Sequence, residues 1–144
     1  MRRILASLAI MATIVAGLVV ANAPTAQAAT SPSTACSSVG PDGTWQTLSS
    51  HALSDVGRVY LMYKNGYNCV TVIKYKAVGT ATYVEARLGI EGSRQKTDSG
   101  NYKYYAAVAQ YAPNDCVWWW SGEMFTNGSG SGYWESGRIS AYCG

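Results

Sequence analysis

Residues 80–90 alternate in chemistry. Val84, Ala86, Leu88 and Ile90 fall on one side of an extended chain, and Tyr83, Glu85 and Arg87 on the other. A period of two marks a strand with one packed face and one wet face. The pattern recurs along the chain. Residues 59–64 and 67–76 are β-rich runs on either side of Asn65-Gly66, and only residues that tolerate positive φ fit the tight type I′ turn of a hairpin. Further strands are expected at 44–49, after the Pro41-Asp42-Gly43 turn, and at 102–111, 116–125 and 133–142. The polar stretch 91–101 reads as a loop, 126–132 as a Gly-Ser turn, and 51–55 as one helical turn; no other segment has a 3.6-residue period. About seven short strands with turn signals between them predict an all-β fold, a small antiparallel β-sandwich or barrel.

Arg2 and Arg3 precede an uncharged apolar run, 4–20, and Ala26-Gln27-Ala28 has the small-x-small form of a cleavage site. The run is short for a membrane span and no stop-transfer charges follow it. These features divide the chain into a signal peptide, 1–28, a flexible Ser/Thr-rich leader, 29–35, and one β domain, 36–144. The expected product is secreted, to the medium or to a cell or spore surface, with no membrane partner once the signal is removed.

Cys36, Cys69, Cys116 and Cys143 all lie in the exported part. An even number of cysteines in an oxidising compartment predicts two disulfides. Of the three possible pairings we favour Cys36–Cys69, which would pin the N-terminal arm to a sheet, and Cys116–Cys143, which would tie down the C-terminus. No CxxC spacing exists and the single His51 is remote from the cysteines, so no metal site is expected. No GxGxxG, Walker or Ca²⁺ loop is present, and no cofactor is expected.

With Arg2 and Arg3 removed, nine basic residues face eight acidic ones. Nucleic-acid binding needs clustered Lys and Arg, so it is not expected. Charged residues make up 13% of the chain, against roughly 25% in ordinary soluble domains. The surface is then built from Ser, Thr, Gly, Asn and Tyr, which suits adhesion to other surfaces or polymers.

Trp118, Trp119 and Trp120 are consecutive, and in a strand consecutive side chains point to opposite faces. They are the candidate binding residues. One reading buries Trp118 and Trp120 and leaves Trp119 partly wet. A second buries Val117 and Trp119 and sets Trp118 and Trp120 outward, roughly 6.5–7 Å apart, as a platform for sugar rings or apolar surfaces. A bulge near Ser121-Gly122 would scramble either parity. Tyr102, Tyr104, Tyr105, Tyr111 and Trp134 could extend the patch.

Signals for catalysis are sparse. His51 has Ser54 and Asp55 nearby in sequence, but a triad needs geometry rather than adjacency, and GxSxG is absent. Glu85, Glu91, Glu123 and Glu135 offer carboxylate pairs of the glycosidase kind only on paper. No catalytic residue is expected.

Three segments carry a resemblance: NGYNCVTVIK at 65–74, YAAVAQYAPNDCVWWWSG at 105–122, and the terminal Cys143-Gly144. With the signal peptide and the early Cys36, the stretch 36–144 resembles the spore-associated protein A family of secreted proteins from spore-forming mycelial actinobacteria. The Trp triplet and the Gly-Ser turn depart from it. The resemblance implies a small exported protein found with spores or aerial hyphae, and it brings no catalytic residue. The reading is a non-enzymatic, two-disulfide β domain that acts in adhesion, in assembly, or in binding a wall or spore-coat polymer. An alternative is a secreted protease or amylase inhibitor with Arg94 or Lys96 in the polar loop; another is a small hydrolase.

Overall fold

The computed structural model describes residues 30–93, 95–128 and 130–143. The signal peptide and its cleavage site lie outside the described residues.

Among the described residues, nine strands form two antiparallel sheets, and neither closes into a barrel. The first sheet orders β1 (Gln46–Leu53), β2 (Gly57–Lys64), β3 (Tyr67–Lys74) and β6 (Tyr105–Tyr111) as β1-β2-β3-β6. The second orders β5 (Lys96–Tyr102), β4 (Thr82–Ile90), β7 (Cys116–Phe125) and β8 (Ser131–Glu135) as β5-β4-β7-β8, with β9 (Ala141–Cys143) also on β7. Asn65 and Gly66 take φ of 48° and 81°, and Lys64 pairs with Tyr67, so the hairpin turn falls where the sequence places it.

Between the sheets lie Val59, Leu61, Val70 and Val72 from one side and Val84, Ala86, Leu88, Ile90, Val117, Trp120 and Met124 from the other. Gly122 permits this contact: a Cβ there would stand 2.6 Å from Val72 Cγ2 and 2.8 Å from Val59 Cβ. The Lys74 ammonium clips the layers together. It donates to Thr82 Oγ1 at 2.7 Å, Thr80 O at 2.8 Å and Tyr102 O at 3.0 Å, using its three donors on neutral acceptors. Burial without a carboxylate lowers its pKa.

Four expectations are corrected. The leader is not wholly flexible, because α1 (Pro32–Ser37) occupies much of it. The Ser31 side chain accepts from Thr34 N, Pro32 opens the first turn, and Ala35 and Cys36 are fully buried. The stretch 51–55 is no helical turn: β1 runs to Leu53, and Ser54 turns the chain with φ 51°. Most of the supposed loop 91–101 is β5, which was hidden because Asp98 and Gly100 on its inner side present no apolar side chain. Asp98 accepts from Ala107 N at 2.9 Å and from Tyr102 Oη at 2.5 Å. The last strand is two, separated by a turn with Gly137 at φ 63°.

Both disulfides pair as favoured, Cys36 with Cys69 and Cys116 with Cys143. The first fixes α1 against the outer side of the first sheet. There Cys36, Trp45, Met62 and Cys69 form one buried cluster, and Ala35, Ile73 and Ala107 another. Met62, Cys69 and Ile73 alternate with the core valines, so this cluster covers the face opposite the main core. The first sheet is therefore covered on both faces.

Candidate functional site

Among the described residues, the outer face of the second sheet has no such cover. Its register sets Arg87 beside Ser121 and Ser121 beside Glu135; Glu85 beside Glu123 and Glu123 beside Tyr133; and Gly89 beside Trp119. Tyr83 and Phe125 extend the same face, with their rings 5.7 Å apart. Phe125 is 44% exposed and Tyr133 52%, while Trp119 is half-buried. The sequence placed Tyr83, Glu85 and Arg87 on a wet face; it gave no sign that Phe125 and Tyr133 would join them, since that depends on strand order.

The tryptophans divide in a way neither simple parity allows. Gly89 pairs with Trp119 and Ile90 with Val117, so Trp118 is an extra residue in β7. This bulge sits at Trp118, not near Ser121-Gly122, and it resets the alternation. Val117 and Trp120, three residues apart, both enter the core at 0% and 1% exposure. Trp120 is therefore withdrawn from the candidate binding residues. Trp118 and Trp119 remain half-buried on the outside. Gly89 makes room for them, since a Cβ there would meet Trp118 Nε1 at 3.0 Å. Arg138 lies 5.4 Å over the Trp118 ring, and with Glu91, Gly92 and Ile139 they line a hollow of ≈ 370 Å³.

The other aromatics do not extend this surface. Trp134 stacks on His51, with centroids 3.8 Å apart and planes 6° from parallel, and tilts against Trp120. Tyr102 packs against the main core, Tyr105 lies over the covered face of the first sheet, and Tyr111 meets Tyr67. His51 is not drawn to Asp55, which pairs with Lys76. Arg94 lies outside the described residues. Lys96 opens β5 rather than sitting in a long loop.

On the open face, Glu85 is 5% exposed, ion-paired with Arg87, and accepts from Tyr83 Oη at 2.8 Å. Tyr133 donates its hydroxyl to Glu135. This hydrogen bond, then desolvation and the Glu135 charge, push the Tyr133 pKa up to about 12 from an ordinary value of 10.0. Desolvation first, then the bond to Glu85, raise that of Tyr83. A phenol whose pKa is raised by folding adds stability below pH 10.0, and that contribution is lost as the pH climbs toward 12. Alkaline titration of phenolate absorbance is expected to show late-ionising tyrosines, among them Tyr60 and Tyr133, both near 12. Glu135→Gln is expected to bring Tyr133 back toward the ordinary value and leave Tyr60 in place; an unchanged curve would refute the Glu135 assignment.

Among the described residues no group of three or more His, Cys, Asp or Glu is placed to hold a metal ion. No family model matches the chain, and no solved structure matches it. Spore-associated protein A of Streptomyces coelicolor is 35% identical to it over 123 residues, covering 83% of this chain and 79% of that protein.

Proposed function

The chain belongs to the spore-associated protein A family, and from that premise we propose that it is a secreted, non-enzymatic protein of the spore or cell surface that adheres to a wall or coat polymer through the open face of its second sheet. One observation carries the reading. The first sheet hides its outer face beneath α1 and Trp45, whereas the second leaves Trp119, Tyr83, Phe125 and Tyr133 at its surface. Rings held on a rigid sheet lose little entropy when a flat partner stacks on them, and they gain apolar contact. Two disulfides fit an oxidising exterior.

The test is cosedimentation of the purified protein with insoluble peptidoglycan, chitin and cellulose. Wild type is expected to pellet with at least one. Trp119→Ala and Tyr133→Ala, both outside the core, are expected to weaken binding about tenfold each, the value of one lost ring contact of ~1–2 kcal/mol. Wild type remaining in the supernatant with all three would sink the reading.

One observation favours a second reading. Glu85 and Glu123 stand directly opposite each other beside the aromatics, which a small glycan hydrolase would require. Against it, Glu85 is occupied by Arg87 and Tyr83. Soluble sugar released in the same assay, and abolished by Glu123→Gln, would replace adhesion with hydrolysis.

A further inference from the structure

We infer that the polymer taken by the open face is a glycan bearing free amines, a chain rich in de-N-acetylated amino sugar. The inference rests on the adhesion reading above and specifies its ligand.

Charge is its first ground. Among the described residues of β4, β7 and β8, Glu85, Glu123 and Glu135 share this face with Arg87, already paired with Glu85, while a second cation, Arg138, lies over Trp118 near the start of β7. Glu123 and Glu135 are left as a negative pair in a chain whose exported part carries nearly balanced charge. Glu85 and Glu123 are cross-strand neighbours, and like charges so placed oppose folding. A cationic ligand would relieve that repulsion. Tyr83 and Tyr133 hold their protons to higher pH partly because these carboxylates surround them, as expected for a face with negative potential.

Geometry supplies the second ground. The aromatics stand among the carboxylates, so a sugar could lay its ring on Trp119, Tyr133 or Phe125 while its ammonium reaches Glu123 or Glu135. Ammonium groups also gain from the faces of aromatic rings. A basic peptide would satisfy the charge but fits the backbone poorly. β4 has strands on both sides, and β7 has β4 on one side and β8 and β9 along the other. The edges of this sheet lie at β5 and β8, so a strand added there would not cover Glu85, Glu123 and Trp119, which stand on the central strands β4 and β7.

The test compares chitosan beads with chitin beads in mildly acidic buffer, where the sugar amine is protonated. Wild type is expected to bind chitosan about tenfold more tightly than chitin, the effect of two part-exposed ion pairs. Raising the salt, or the Glu123→Gln, Glu135→Gln double variant, is expected to abolish the difference. Equal binding to both beads, weakened by Trp119→Ala, would overturn the amine inference and leave adhesion standing. Binding to neither bead nor to peptidoglycan would end both. A double variant that prefers chitosan as strongly as wild type would overturn the role of the carboxylates. Displacement by polylysine at concentrations that match chitosan oligomers would assign the face to a basic polypeptide and overturn the glycan.

Discussion

Trp120→Ala is expected to destabilise the folded protein by ~3–5 kcal/mol, the usual cost of emptying a buried aromatic site. The indole is 1% exposed, stands among Val117, Met124 and Leu88, and tilts against Trp134 with centroids 4.5 Å apart. Small domains are stable by only about 5–15 kcal/mol, so much of the margin would go. Trp119→Ala, one residue away, is expected to cost under ~1 kcal/mol, since its ring lies on the outside. Urea unfolding of both variants with disulfides intact measures the contrast. Equal losses would mean that the bulge at Trp118 does not sort the two rings as described.

The second large effect concerns α1. Replacing Cys36 and Cys69 together by Ala is expected to cost ~3–5 kcal/mol. The bridge spans a sequence separation of 33, for which chain entropy alone gives about 3–4 kcal/mol, and both residues are fully buried. The loss should be local as well as global. Amide exchange is expected to quicken in α1 and around Trp45 while β4 and β7 stay protected. A loss under ~1 kcal/mol would show that Ala35 and Trp45 hold the cover without the bridge. Replacing Cys116 and Cys143 is expected to do less, because that bridge holds only the three-residue β9 and both of its cysteines are partly exposed.

These effects also mark how far the sequence could be read. Strands that wet one face and bury the other were legible, as in β4, because hydrophobic burial imposes a period of two. The cysteine pairing was one of three open possibilities, favoured because each bridge would tie down one end of the domain, and the structure has that pairing. β5 was illegible because its inner positions are Asp98, Gly100 and Tyr102: Asp98 bonds to Ala107 of the other sheet, Gly100 has no side chain, and only Tyr102 packs apolar surface on the core. α1 is too short to show amphipathic periodicity, and its one signal was the Ser31-Pro32 start. The fate of the tryptophans turned on a single unpaired residue. A bulge is a property of two strands together, so β7 alone could not reveal that Trp120 goes inward. The open face needed strand order as well: Tyr133 meets Glu123 only because β8 returns beside β7.

The cover on the first sheet fixes the orientation in which the domain can be presented. The described residues begin just ahead of α1, on the side opposite Trp119 and Tyr133. A tether joined ahead of Thr30 would hold the molecule by its sheathed back and leave the aromatic front pointing away from the support. Immobilisation through that end therefore suits binding measurements, whereas coupling through the front would mask the aromatic surface.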